Sequence, residues 1–147
     1  MKIAIANDHA AVGAKNALAE LLLSAGHEVL DLGAGDETSV DYPDFAHAVC
    51  RAVLDGEVER GILLCGTGIG MSIAANRHHG IRAALCHSEE TARMSRHHND
   101  ANVLCLGARI LSPVTQSACC RVFLEEEFEG GRHARRLAKI ESVVEEA

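Results

Sequence analysis

A glycine-rich segment that begins at Cys65 holds the residues best suited to chemistry. It runs Cys65-Gly66-Thr67-Gly68-Ile69-Gly70-Met71-Ser72. Its alternating glycines let the backbone approach a ligand closely with the N–H groups turned inward. A cysteine placed where a strand ends and such a loop begins is a candidate general base, because the positive end of the following helix stabilises a thiolate. The alternative is a tight strand-to-helix turn with a buried structural cysteine.

The glycine-rich segment matches neither common nucleotide-binding motif. It lacks the Gly-Lys-Ser/Thr of a P-loop, and the spacing of a dinucleotide-binding Gly-x-Gly-x-x-Gly fails at Met71. Anion binding by the loop amides and the adjoining helix start is still expected. A non-catalytic module that binds a phosphosugar or a nucleotide therefore stands as an alternative to an enzyme.

The run Ser95-Arg96-His97-His98-Asn99-Asp100 is typical of a helix end. Asn99 is predicted to be the left-handed residue that closes the helix. A histidine at this end of a helix is favoured in its protonated form, which suits a general acid. A solvated helix end without a chemical role is the alternative, and it is our interpretation of the similar pair His78-His79.

Two arginines near the end of the chain, Arg132 and Arg136, are spaced i, i+4. On a helix they share one face about 5–6 Å apart, where two guanidinium groups make a phosphate clamp. A basic first turn opposes the helix dipole, which favours a reason beyond stability. The alternative is ion pairing with the nearby acids Glu125, Glu126, Glu127 or Glu129.

The overall composition excludes several classes of protein. A formal net charge of −7 over 147 residues argues against non-specific binding to nucleic acid or to an anionic membrane. The apolar start is too short for a secretory signal, and the longest uncharged run is too short to span a membrane. The six cysteines form no Cys-x-x-Cys pair, which favours reduced thiols over disulfides or a zinc cluster. We expect a cytoplasmic protein of one domain, residues 1–147.

Short apolar runs alternate with helical patterns along the whole chain. The expected strands are residues 3–6, 29–30, 61–65, 82–85 and 103–106. The first helix is expected to bury Ala14, Leu18, Leu21, Leu22 and Ala25, and later helices are expected to begin at Tyr42, near Met71, after Ser88 and at Pro113. A last helix is expected over 133–146, with an apolar stripe of Leu137, Ile140 and Val144. This alternation predicts a doubly wound, five-stranded parallel sheet in three αβα layers.

Sheets of this kind bind ligands at the carboxyl ends of their strands. The rule brings four segments to one edge, namely residues 7–9, 66–70, 87–88 and 107–109. A thiol oxidoreductase based on Cys119 and Cys120 is disfavoured, because neighbouring residues of a helix point apart.

Taken together, the motifs resemble the ribose-5-phosphate isomerase B family, which also contains galactose-, allose- and tetrose-phosphate isomerases. The resemblance covers nearly the whole chain and rests on Asp8-His9, on Asp41-Tyr42-Pro43, and on the stretches over 65–76, 80–85, 95–109 and 129–136. It implies a Rossmann-like fold and an aldose–ketose isomerase that interconverts ribose 5-phosphate and ribulose 5-phosphate through an enediolate. A tetrose- or hexose-phosphate substrate is the alternative within the family.

The resemblance also implies roles for individual residues. Cys65 would remove the proton from C2 of the sugar, Thr67 and the loop amides would stabilise the enediolate, and His98 would help to open the furanose ring. The remaining substrate contacts would come from Asp8, His9, Tyr42, Gly66, Gly68, Ile69, Gly70, Ser72, Asn99, Arg109, Arg132 and Arg136. No metal or other cofactor is implied. The family's sites are shared between subunits, so a homodimer or homotetramer is expected, with the last helix packing on a partner.

Overall fold

A parallel five-stranded sheet in the order β2-β1-β3-β5-β4 forms the centre of the protein. In the computed structural model, which describes residues 1–143, the strands are β1 Lys2–Asn7, β2 Glu28–Asp31, β3 Arg60–Cys65, β4 Ala83–Leu85 and β5 Val103–Gly107. The predicted strands are thus confirmed, with ends that differ by at most one residue.

Helices cover both faces of the sheet, which confirms the predicted three-layer α/β fold. They are α1 Val12–Ser24, α2 Tyr42–Leu54, α3 Ile69–Ala75, α4 Glu89–Asn99, α5 Pro113–Glu125 and α6 Arg132–Glu141. Helices α1, α4 and α5 pack on one face, and α2 and α3 pack on the other. None of the helices within residues 1–143 is long and apolar enough to cross a membrane.

Strand β3 lies at the middle of the sheet, between β1 and β5. Its residues from Gly61 to Cys65 are all buried, as expected for a parallel strand covered on both faces. The chain moves outward from β1 to β2 and then returns to place β3 on the other side of β1. The crevice at this reversal, between the carboxyl ends of β1 and β3, is where such folds bind ligands.

Three details of the helices differ from the predictions. Helix α3 starts at Ile69, earlier than expected, because Gly68 adopts a left-handed backbone (φ +79°) at the N-cap position. Ala25 follows the end of α1 and is exposed, so its predicted burial is wrong. The buried face of α1 instead includes Lys15, whose Nζ lies 2.6 Å from Asp31 Oδ2. The ion pair satisfies the buried ammonium group.

The C-terminal end of α4 also corrects a prediction. The left-handed residue is Asp100, with φ 42°, and Asn99 is the last helical residue. Asp100 Oδ1 accepts a hydrogen bond of 2.9 Å from Arg96 Nη1, a contact that holds this strained residue in place. The other end of α4 is capped as predicted, by Ser88. Helix α6 ends at Glu141, earlier than predicted. The predicted end at Glu146, and Val144 of the apolar stripe, lie outside the described residues.

Candidate active site

Cys65 lies at the carboxyl end of β3, and the residue is only 6% exposed. Its Sγ accepts a hydrogen bond from the backbone N–H of Gly68, at 3.2 Å. A donated N–H stabilises the negative charge of a thiolate more than it stabilises the neutral thiol. The contact therefore distinguishes Cys65 from a cysteine that only fills space.

Close backbone packing fixes the shape of the loop after Cys65. A Cβ added at Gly68 would lie 2.9 Å from the carbonyl carbon of Leu106, and one added at Gly107 would lie 2.6 Å from the carbonyl oxygen of Thr67. Both distances are too short for any side chain. Only glycine at these two positions lets the loop lie against the end of β5, so the loop amides are held in place before any ligand arrives.

The polar side chains of the loop are arranged by contacts with its own backbone. Thr67 is exposed, and its Oγ1 accepts a hydrogen bond of 3.2 Å from the Ile69 N–H, so the hydroxyl can still donate its own proton to a ligand. Ser72 Oγ donates to the Ile69 carbonyl at 2.7 Å. The Ser72 hydroxyl is thus engaged with its own helix, while the side chain of Ile69 is half exposed.

Asp8 and His9 follow β1 and lie at the same edge of the sheet as Cys65. Asp8 is 7% exposed, and its Oδ1 accepts a hydrogen bond from the Ala10 N–H at 2.9 Å. His9 Nδ1 accepts a hydrogen bond from the Val40 N–H at 3.2 Å. Because Nδ1 is an acceptor, the neutral imidazole carries its proton on Nε2, where it can donate to an anion.

Tyr42 and Arg109 complete this edge. A Cβ added at Gly70 would lie 2.5 Å from Tyr42 Cε1, so the tyrosine ring packs directly on the loop. A Cβ added at Gly66 would lie 3.5 Å from Arg109 Nη1, and the Arg109 N–H donates to the Gly66 carbonyl at 3.0 Å. The structure therefore brings Cys65, the glycine loop, Asp8, His9, Tyr42 and Arg109 together.

The remaining predicted residues lie at the opposite edge of the sheet, where the amino ends of the strands meet. Helix α4 ends at Asn99, just before β5 begins at Val103, whereas Cys65 pairs with Gly107 at the far end of β5. A strand of five residues is about 16 Å long. A single chain thus does not bring His98, Asn99, Arg132 and Arg136 to Cys65.

His98 has two neighbours that the sequence did not reveal. Its ring stacks on His133, with 4.4 Å between ring centroids and 15° between planes, and its Nε2 lies 3.6 Å from Glu129 Oε1. Burial lowers the pKa of His133, and the charges of His98 and Arg132 lower it further.

Ligand atoms of His98, Glu129 and His133 lie within 4.8 Å of one another. The lone pairs of two stacked rings run side by side and do not converge on one metal ion, so we assign no metal site.

Arg132 and Arg136 are both exposed, and within residues 1–143 neither guanidinium has an ion-pair partner. Two of the acids considered as their partners are engaged elsewhere. Glu126 Oε2 lies 2.6 Å from His97 Nε2, a hydrogen bond that lowers the Glu126 pKa, and Glu129 contacts His98. This arrangement favours an anion-binding role for the arginine pair.

Comparison with known proteins identifies the family. The Ribose/Galactose Isomerase family model matches residues 3–140. The solved ribose-5-phosphate isomerase B of Clostridium thermocellum is 48% identical, with a TM-score of 0.97 over 99% of this chain and 98% of that one. Ribose-5-phosphate isomerase B of Escherichia coli (strain K12) is 42% identical, covering 97% of this chain and 95% of the relative. D-erythrulose-4-phosphate isomerase of Pectobacterium atrosepticum is 44% identical, covering 95% and 93%.

The chain belongs to the ribose/galactose isomerase family. The predicted resemblance is confirmed over nearly the full length, and with it the assignment of the protein as an isomerase. The relatives differ in the sugar phosphate that their names specify, so membership of the family does not by itself give the substrate.

The other five cysteines of this ribose/galactose isomerase family member are buried and unbridged. Burial raises the pKa of Cys50 and of Cys86 to about 11, and that of Cys120 to about 12. Burial also raises the pKa of Cys105 and Cys119. These thiols stay protonated near neutral pH, as expected of cysteines that only fill space in the core.

We expect selective alkylation at Cys65. At about pH 8 the other five thiols, whose pKa values are raised by burial, are neutral and unreactive, whereas Cys65 accepts an N–H donor and, although also buried, adjoins the exposed Thr67. Iodoacetamide followed by peptide mass mapping should find a single modified thiol, and Cys65→Ala should remove the label. The other thiols should react only as the pH rises toward their raised pKa values. Faster labelling of Cys50 or Cys86 than of Cys65 at the lower pH would contradict this assignment.

Proposed function

We propose that this isomerase interconverts ribose 5-phosphate and ribulose 5-phosphate, with Cys65 as the base. The observation that carries the proposal is the hydrogen bond from the Gly68 N–H to Cys65 Sγ, beside Asp8 in the crevice between β1 and β3. It supplies a thiol with an N–H donor, which stabilises the sulfur when it is negatively charged, at the position where folds of this kind bind small molecules.

The chemistry needs a base and donors for a charged oxygen. The Cys65 thiolate removes the proton from C2 of the open-chain aldose, and the electron pair of that C–H bond forms the C1–C2 double bond of an enediolate. Negative charge develops on the C1 oxygen, where the loop N–H groups and the Thr67 hydroxyl can donate hydrogen bonds. The proton then returns to C1, the C2 hydroxyl becomes the ketone, and the C1 oxygen ends as a hydroxyl. No electrons leave the sugar, so no redox cofactor is required.

The other polar groups bind the sugar and its phosphate. Asp8, with Oδ1 already fixed by the Ala10 N–H, holds sugar hydroxyls. Tyr42 and Ser72 line the same side of the site. His98, with Asn99 beside it, assists opening of the furanose ring. The phosphate is bound by the Nε2–H of His9 and by Arg109, Arg132 and Arg136.

A second copy of the chain is needed to complete this site. Since His98 and the two arginines of α6 lie about one strand length from Cys65 in their own chain, we infer that a homodimer, or a homotetramer built from it, joins the two edges. Ile69 and Ile73, 50% and 53% exposed, form an apolar surface beside the glycine loop that a partner would cover. We further propose that the chain acts as one domain in the cytoplasm.

A tetrose phosphate is the second candidate substrate. The D-erythrulose-4-phosphate isomerase of Pectobacterium atrosepticum is 44% identical to this chain, about as similar as the ribose-5-phosphate isomerase B of Escherichia coli at 42%. The proton transfer would be the same, and only the distance between the phosphate and the reacting carbons would change.

Replacement of Cys65 tests the base. Cys65→Ala should lower kcat/KM for ribose 5-phosphate by about 10³-fold or more, because general bases contribute about 10²–10⁴. The melting temperature should change little. Cys120→Ala removes a thiol of similar burial in α5 and should keep most of the activity. All assays contain EDTA, so that a metal requirement would show itself. Full activity of Cys65→Ala would refute the mechanism.

A panel of aldose phosphates tests the substrate. We expect kcat/KM for ribose 5-phosphate to exceed that for tetrose 4-phosphates and hexose 6-phosphates by about tenfold or more, since one carbon displaces the phosphate from its arginines. Coupled assays on the purified wild-type protein measure the ratios. A higher kcat/KM for a tetrose 4-phosphate than for ribose 5-phosphate would show that the second candidate is the preferred substrate.

A further inference from the structure

Arg82, which immediately precedes β4, connects two elements that carry proposed site residues. Its Nε donates to the carbonyls of Asn99 and Asp100 at 3.0 and 3.1 Å, and its Nη2 donates to the Asp100 carbonyl at 3.0 Å. Its Nη1 donates to Glu141 Oε1 at 3.1 Å. One half-buried guanidinium thus holds both the C-terminal end of α4 and the last turn of α6.

Glu141 is held from three directions. Besides Arg82, its carboxylate accepts a hydrogen bond from the Gly80 N–H at 3.3 Å, and His79 Nδ1 lies 3.3 Å from Oε2. The Glu141 side chain is 27% exposed, so the contacts are shielded in part from water. A partly buried carboxylate with several hydrogen bonds fixes the position of its helix better than a fully exposed ion pair does.

Helix α6 has few other attachments. His133, stacked on His98, is its only buried residue within the described part of the chain. A cavity of about 420 Å³ opens beneath the helix, lined in part by Asn99, Leu137 and Glu141. The helix is therefore fixed at its first turn by His133 and at its last turn by Glu141, with space between them.

We propose that Arg82 and Glu141 are positioning residues of the isomerase site, which hold α6 so that Arg132 and Arg136 meet the substrate phosphate in one fixed geometry. The proposal rests on the function proposed above. Neither residue touches the substrate. Without the Glu141 contact the last turn of the helix is held less firmly within its own chain, and the binding of phosphate must then supply the cost of fixing it again.

Glu141→Ala tests this role. We expect KM for ribose 5-phosphate to rise about 5- to 10-fold, because the phosphate site is no longer preorganised. The kcat should stay within about twofold of wild type, because Cys65, Thr67 and His98 lie on other elements. The inhibition constant of inorganic phosphate, which competes for the same arginines, should rise by the same factor as KM.

Two further variants sharpen the test. Glu141→Gln keeps the hydrogen-bond acceptor and loses the charge, so its KM should lie between those of wild type and Glu141→Ala. Arg82→Lys should lower kcat as well as raise KM, because one ammonium cannot span the α4 carbonyls and Glu141 together. The matched control is Glu90→Ala, which removes an exposed carboxylate paired with Arg93 at 3.3 Å on α4 and should leave both constants unchanged.

The outcomes separate the positioning role from the proposed function. KM and phosphate inhibition of Glu141→Ala within about 1.5-fold of wild type would overturn the proposal, as would an equal rise in KM for the control. A wild-type protein without isomerase activity would contradict the function instead. Amide hydrogen exchange along α6 then tests the contact between Arg82 and Glu141 independently of activity. Faster exchange in Glu141→Ala would support the proposal, and unchanged exchange would refute it.

Discussion

Strands β3 and β5 hold the two groups of proposed site residues about one strand length apart. At one end of these strands Cys65 accepts the Gly68 N–H, beside Asp8, His9 and Arg109. At the other end lie the C-terminus of α4 and the first turn of α6, with His98 and the exposed arginines. Each crossover of a parallel sheet runs back along the strands from their carboxyl ends to their amino ends, so it keeps the two ends about a strand length apart. The proposed dimer follows from this constraint more than from any single contact.

Rigidity is built into both edges, by different means. At the Cys65 edge the backbone itself is packed, because Gly68 and Gly107 leave no room for a Cβ and Tyr42 rests on Gly70. At the opposite edge side chains hold the elements, through Arg82, Glu141 and the stacked pair His98 and His133. Proton transfer needs donors fixed before the reaction, whereas phosphate binding needs cations held at the right distance, so each edge has the kind of support that its proposed task requires.

The sequence predicted those parts of the fold that depend on local pattern. Buried strands are continuous apolar runs, so β3 and β5 could be located, and the rule for parallel sheets placed Asp8, the glycine loop and Arg109 at one edge. The local sequence pattern does not predict contacts between segments that are far apart in the chain. The link from Arg82 to Glu141 spans 59 positions, and nothing in the spacing of either residue indicates it.

Other differences have a similar origin. The choice of Asp100 over Asn99 as the left-handed residue depends on Arg96, which bonds the Asp100 carboxylate. Lys15 is buried in α1 only because Asp31 comes close to it from β2. In each case a contact with a residue elsewhere in the fold determined the outcome, because the conformational preferences of the residues themselves differ little.

The central claim, that each site takes its sulfur from one chain and His98 from another, is tested most directly by combining two chains that each lack one of these groups. Cys65→Ala and His98→Asn are co-expressed with different affinity tags, and the mixed dimer is purified on both tags. If sites are shared, one site of the mixed dimer carries both substitutions and the other carries neither, so the activity should recover to about half that of wild type. A mixed dimer no more active than its two parents would contradict the account.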